Sequence, residues 1–397
     1  MSTPRERAVA FAMHVARWTA YFSVSGYYGT VCRIRRWGSL PRRRGPSLVV
    51  ANHQHEMESP VIVAALAIQS LMLRRPMYTI SSRRMWEPGF FAERIPWLQP
   101  VMRTVNLGWL FAGIGMQPIE NELHSRPFVS IAHALHVAHG DLPASSVFRE
   151  RALTRIPGVA SIADLLAPQH FVAARSVVSL SELREPYRAE MLAHTRAQLD
   201  ADIAHFEDLV RSGATVFLTP EGFYSGDGKM QRLRGILGKL APLARIYIAA
   251  ISYDPFVGRR LSMLYRVREA APGFALEADL KRTRPVTTSA LLGTWLRERT
   301  SNLREDDAIR AVTSQLRELP GEAFIDPDLA RDPARMTRAA LSGMTRLRIL
   351  RREGDSYVLT QTRRHPEFPR TEDMIAYQAN FHAETLDGLR TAQGVPA

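Results

Sequence analysis

Apolar and polar positions divide the chain into short unbroken runs and longer periodic stretches. Leu48-Val49-Val50-Ala51 has no polar interruption, which predicts a buried strand, and Asn52, His53, Gln54 and His55 after it predict a tight polar turn. Ser59 suits a helix N-cap and Pro60 a first helical position ahead of the apolar stretch 61–73. Met77–Ser82 reads as a second strand. The apolar segment 90–116, with Trp97 and Trp109, either completes the core or dips into a lipid interface. From Asn121 to about Arg188 the chain is rich in proline and loop residues, which predicts a helical insertion or lid. Tyr187–Arg211 places Leu192, Leu199, Ile203, Phe206 and Leu209 on one face, an amphipathic helix that Gly213 stops. Thr215–Leu218 and 246–252 read as further strands. Beyond Thr294 the pattern predicts helices over 306–316 and 333–341, a hairpin of 346–352 and 356–362 turning at Glu353-Gly354-Asp355, and a final helix from near Thr371.

Strands interleaved with helices predict a mixed α/β fold, a central sheet with helices on both faces. Its expected parts are a membrane-associating arm over 1–45, a central domain over 46–293 with an insertion at about 122–187, and a helical accessory domain with a hairpin over 294–397. The arm is set apart by charge. The 397-residue chain has 52 lysines and arginines against 39 acidic residues, a net +13, and nine arginines against one glutamate lie in the first fifty residues. There the apolar and aromatic stretch 8–31, interrupted by His14 and Arg17, is followed by Arg33, Arg35, Arg36, Arg42, Arg43 and Arg44. An anionic membrane surface binds such a segment with about 1 kcal/mol per basic side chain. A mid-segment arginine costs roughly 2.5–3.5 kcal/mol at the bilayer centre, so the helix is expected to lie in the interface rather than to span. The alternative is an amphipathic helix packed on its own domain. The single cysteine, Cys32, excludes an internal disulfide and a cysteine-based zinc site.

The chemistry centres on the turn after residue 51. His53 and Glu58 both fall in it, and a carboxylate folded back onto an imidazole makes a general base. The string Asn52-His53-Gln54-His55-Glu56-Met57-Glu58 resembles the Asn-His, four residues, Asp signature of the glycerolipid acyltransferases of the lysophosphatidate and glycerol-3-phosphate acyltransferase type, with Glu in place of Asp. A second block, Thr219-Pro220-Glu221-Gly222-Phe223-Tyr224-Ser225, is similar to that family's Phe-Pro-Glu-Gly-Thr-Arg-Ser. The resemblance covers roughly residues 1–290. It implies direct transfer of a fatty acyl group from acyl-CoA or acyl-carrier protein to a hydroxyl of a lysophospholipid or related lipid, at the cytoplasmic membrane face, with no metal or organic cofactor. His53 would be the base and Glu58 would hold its tautomer. Asn52, Glu221, Gly222, Tyr224, Ser225, Arg232 and Arg234 would line the acceptor site, with backbone N–H groups of the turn facing the acyl carbonyl. Asn121 and Tyr224 stand at two positions where the family places phosphate-holding arginines; Arg83, Arg84, Lys229, Arg232 and Arg234 are candidate substitutes or a solvated basic face, and an acceptor with a free hydroxyl but no phosphate monoester, hydrogen-bonded by Tyr224, fits as well. Exchanging Glu58 for Asp is expected to be tolerated or to raise the rate.

Three other readings stay open. The domain is a catalytically inactive lipid binder. His53-x-His55 with Glu56 and Glu58 resembles the first ligand cluster of β-lactamase-type metallo-hydrolases, and His133, His136 and His139 offer a weaker metal pattern because steps of three diverge around a helix. The helices and basic hairpin beyond residue 294, with Arg346, Arg348, Arg351 and Arg352, resemble a winged-helix module for nucleic acid. Their alternation with Leu347 and Ile349 and the nearby Glu372, Asp373, Glu384 and Asp387 favour a structural or partner-docking role, so no nucleic-acid partner is expected.

Overall fold

The computed structural model describes residues 4–38, 45–55, 57–72, 77–87, 90, 108–120, 123–273, 275–299 and 303–392. Glu56, Trp97 and Asn121, and most of the stretch 90–116, lie outside them. The fold is α/β with a mixed seven-stranded central sheet. Two compact units make it up, Met1–Met77 with Leu209–Ala397, and Tyr78–Asp208.

Helix α1 (Pro4–Val31) leads into β1 (Cys32–Trp37), β2 (Ser47–Ala51) and α2 (Glu58–Met72). Next come β3 (Met77–Ser82), β4 (Met116–Ile119), β5 (Ser125–Pro127), α3 (Phe128–His139), β6 (Val177–Ser179) and α4 (Tyr187–Arg211). The chain continues through β7 (Thr215–Leu218), β8 (Arg245–Asp254), β9 (Leu261–Glu269), α5 (Leu276–Thr283) and α6 (Thr288–Leu296). It ends with β10 (Leu303–Arg304), α7 (Glu305–Glu318), α8 (Pro333–Arg346), the strands β11 (Leu350–Glu353) and β12 (Ser356–Leu359), and α9 (Met374–Ala392).

In the first unit the strands run in the order β1-β9-β8-β2-β7. β2 is parallel to both β7 and β8, and β9 is antiparallel to β8. Covered along both edges, β2 buries all five of its residues, which is why its sequence shows no alternation. α2 begins at Glu58, one residue before the expected cap Ser59. The Glu58 carboxylate accepts the backbone N–H groups of Gln54 and His55, closing the turn ahead of the helix. The first part of the basic flank of α1 is a strand, and Arg42, Arg43 and Arg44 lie outside the described residues: Arg33 and Arg35 lie on β1, paired with β9, and Arg35 is ion-paired with Asp326 and Asp328. Residues 1–45 therefore include a strand of the central sheet, and removing them would expose an edge of β9 as well as detach α1.

The C-terminal elements belong to this same unit. α9 packs against α5 and α6, while β10, β12 and β11 form a three-stranded sheet in that order beside α7 and α8. Gly343 of α8 lies against the carbonyl of Phe256, where an added Cβ would collide with backbone. Because neither side can yield without moving its element, Gly343→Ala should cost about 1–3 kcal/mol of stability. A lowered thermal midpoint checks this; an unchanged one would show that α8 can slide.

In the second unit β3 and β4 are parallel, β5 and β6 antiparallel, and the predicted insertion is helical. Phe128, Ile131, Leu135, Phe148, Leu165 and Leu183 belong to its buried core. Asp202 of α4 accepts the N–H of Glu120 at 2.8 Å and is ion-paired with Arg83, and Arg126 is paired with Glu120. Of the three spaced histidines on α3, His133 is exposed and His139 is paired with Glu190 at 2.8 Å.

Candidate active site

The strands β2 and β7 run side by side and end at the same edge, so the turns that leave them meet. Val50 pairs with Leu218, and the chain leaves the sheet at Asn52 on one strand and Thr219 on the other. Asn52 has no ladder partner of its own, and its side chain supplies one. Its Nδ2 donates to the Ile251 carbonyl at 3.1 Å and its Oδ1 accepts the Ile251 N–H at 2.7 Å, so the side chain stitches the turn to β8. An amide is the residue type that can donate and accept at once across such a gap.

His53 is next, held from two sides. Its backbone N–H donates to Glu221 Oε1 at 2.6 Å, and its Nδ1 lies 2.6 Å from Glu58 Oε2. With Nδ1 carrying the proton toward the carboxylate, Nε2 is the basic nitrogen. Glu58 is fully buried while the His53 side chain is 14% exposed, so the pair is shielded behind and open in front. The other oxygen of Glu58 accepts from Gln54 at 2.6 Å and from His55 at 2.8 Å. Both its oxygens are thus engaged from its place in the first turn of α2. Burial pulls the His53 imidazole downward in pKa, but the Glu58 hydrogen bond and the charges of Glu58 and Glu221 outweigh it, with Arg370 acting against them. The net result lies above the ordinary 6.5.

Glu221 is the second buried carboxyl. Burial pushes it up to about 7, against the N–H groups of Gln231 and His53 and the charges of Arg284 and His53. Its Oε2 accepts the Gln231 N–H at 2.7 Å, so one carboxyl joins the His53 turn to the loop after β7. Gly222 has a positive φ of 78°, and a Cβ there would run into the Arg234 guanidinium. Arg234 donates its backbone N–H to Pro220 and its Nε to the Glu221 carbonyl at 3.3 Å, placing it inside the turn rather than in front of it. Arg232 is exposed, and Ser225 donates to the Lys229 carbonyl at 2.7 Å. The buried Tyr224 ring stands edge-on to His53 at 5.3 Å.

The backbone N–H groups expected to face an acyl carbonyl are already in use. Those of residues 53, 54 and 55 donate to Glu221 and Glu58, and that of Gly222 to Thr219. His55 is also engaged at both nitrogens: Nδ1 accepts the Met57 N–H and Nε2–H donates to the Glu367 carbonyl. His53 and His55 therefore do not converge as a ligand pair. Among the described residues no group of three or more His, Cys, Asp or Glu side chains is placed to hold a metal ion. In the hairpin region Arg351 is paired with Glu353, while Arg346 and Arg352 donate to the backbone carbonyls of Gly258 and Gly354.

Sequence reasoning missed the part played by the C-terminal segment. Tyr377 accepts a hydrogen bond from Gln54 Nε2 at 3.3 Å, and Phe368 packs edge-on against His55 at 5.1 Å. Glu384 of α9 accepts the Met230 N–H at 2.8 Å and is ion-paired with Arg284, while Asn380 donates to the Asp227 carbonyl at 2.9 Å. The loop after Glu221 is thus cradled by residues 153 and 154 positions further on. Gly226 and Gly228 were the available signal, since each lies against backbone of that segment where a Cβ would not fit. No family model and no curated protein sequence matches the chain.

Proposed function

We propose that the chain is an O-acyltransferase of the glycerolipid type, moving a fatty acyl group from acyl-CoA or acyl-carrier protein to a lipid hydroxyl. The observation behind this reading is the convergence of two distant sequence blocks on one imidazole. Glu58 holds Nδ1 of His53, Glu221 holds its backbone, and Nε2 is left as the base. On this reading Nε2 takes the proton of the acceptor hydroxyl as its oxygen attacks the thioester carbonyl. The C–O bond forms, the C–S bond breaks, and the departing thiolate takes the proton back from the imidazolium, which Glu58 stabilises in the interval. No covalent acyl-enzyme is needed, and buried Cys32, whose thiol burial pushes up in pKa, is unsuited to be a nucleophile. The test is wild type beside His53→Ala with labelled acyl-CoA or acyl-carrier protein and a total lipid extract, read by mass spectrometry. A His53-dependent acylated lipid supports the reading and identifies the acceptor; none with either donor defeats it.

The same proposal places the protein on the cytoplasmic face of a membrane through α1. Among the described residues no helix is long and apolar enough to cross a bilayer. Phe11 is 70% exposed and Phe22 53%, with Val15 between them on the same helical face. An apolar stripe of this kind suits burial at the headgroup boundary, with α1 lying in the plane. Since β1 is part of the sheet, substitution tests this better than truncation. Phe11→Ser and Phe22→Ser should each weaken binding to anionic vesicles by roughly tenfold, the scale of burying one large apolar side chain. Cosedimentation unchanged in the double variant would put the anchor elsewhere.

A further inference from the structure

We infer that Arg370 is the anion-holding group of the acceptor site, so that the preferred acceptor bears a negatively charged group close to the hydroxyl that is acylated. This inference rests on the acyltransferase reading and adds the chemical class of its acceptor. The Arg370 guanidinium lies over the Tyr224 ring, 4.5 Å from its centroid, and the same ring stands 5.3 Å from the His53 ring. One aromatic ring is therefore in contact with both a positive charge and the catalytic imidazole. The other charges closest to His53 are the carboxyls of Glu58 and Glu221, which would repel an anionic acceptor if nothing offset them.

Two features distinguish Arg370 from the other arginines near the site. Arg284 is buried and ion-paired with Glu384, and Arg234 is tied into the Glu221 turn. Arg370 is exposed, and among the described residues its guanidinium has no carboxylate within ion-pair range. Its neighbours in sequence, Arg363 and Arg364, are paired with Asp373 and Glu372. Its backbone, by contrast, is fixed: the Arg370 carbonyl lies against Gly226, so closely that a side chain at 226 would displace it. Phe368 and Thr371 on either side are buried. A cation anchored at the backbone and uncommitted at the head can close on a ligand oxygen pair without first breaking an ion pair.

The experiment measures equilibrium binding and acyl transfer with three probes: a monoacylglycerol phosphate, a monoacylglycerol hemisuccinate and the neutral monoacylglycerol. Wild type should prefer one or both anionic probes, and the arm preferred separates a phosphate site from a carboxylate site. Arg370→Ala should weaken anionic-probe binding by roughly 10- to 100-fold, the scale of a hydrogen-bonded charge contact, while neutral-probe binding stays unchanged. Arg370→Lys should recover part of the preference. An anionic preference absent from wild type, or kept in full by Arg370→Ala, overturns the inference. His53→Ala should keep the binding preference and lose transfer. Transfer that survives His53→Ala would remove His53 as the base, transfer absent from wild type would defeat the acyltransferase reading, and in either case the binding arm would still decide on Arg370.

Discussion

On the proposed reading, His53→Ala should lower acyl transfer by roughly 10²–10⁴-fold, the contribution of a positioned general base, and leave the fold in place. The side chain is 14% exposed, and its removal leaves the buried Glu58 Oε2 without its donor, so a loss of about 1–3 kcal/mol in stability accompanies the loss of rate. Its backbone N–H still donates to Glu221 after the substitution, so the two turns remain joined. The loss should fall on kcat rather than on acceptor affinity, because the imidazole acts on a proton that moves only in the transition state. Comparing kcat and KM at saturating donor checks this. An increase in acceptor KM with kcat unchanged would make His53 a binding group and remove it from the chemistry.

Glu58→Gln comes next, with a loss of roughly 10²-fold in kcat. The glutamine carbonyl can replace one carboxylate oxygen, but its NH₂ would then meet N–H donors that Glu58 now accepts from Gln54, His55 or His53. A buried mismatch of this kind costs about 1–3 kcal/mol, so stability falls together with rate. The pH profile separates the two effects. His53 must be neutral to act, so kcat/KM in wild type rises with pH through a value above 6.5. Glu58 raises that value by its hydrogen bond and its charge; without the charge the acid limb moves to lower pH even as the plateau drops. A limb that stays in place would mean that Glu58 is not coupled to the titrating group. The same geometry reverses the expectation for aspartate. Three donors are met by the length of a glutamate side chain, and shortening it by one methylene draws the carboxylate back from His53, at a cost on the order of 10²-fold for a displacement of about an ångström.

How far the site could be read in advance differed by residue. The strand at 48–51, its polar turn, the helix Tyr187–Arg211 and the strand Thr215–Leu218 follow from local apolar pattern and glycine stops, and they form where that pattern puts them. The pairing of His53 with Glu58 was legible too, because only five residues separate them across a turn. Asn52 was placed among the substrate-binding residues, yet both hydrogen-bonding ends of its side chain meet Ile251, a partner 199 residues away that no local pattern announces. Arg234 was a candidate to hold the acceptor, and its guanidinium is instead packed where a Cβ on Gly222 would be.

By itself the sequence determined which residues are chemically able to act: a histidine with a carboxylate within one turn, a second glutamate after a buried strand, and an apolar helix at the amino terminus. Local periodicity and short-range spacing are enough for this, since each element is stabilised by the face it must bury. The tertiary structure alone decided which strand ends lie side by side, and so that Glu221 holds the backbone of His53. It also decided that Arg33 and Arg35 sit in the sheet and that Phe368, Arg370, Tyr377 and Glu384 enclose the loop of the Pro-Glu-Gly block. Those contacts join residues from 146 to 323 positions apart. Such pairings are fixed by the packing of whole elements, which no single stretch of sequence records.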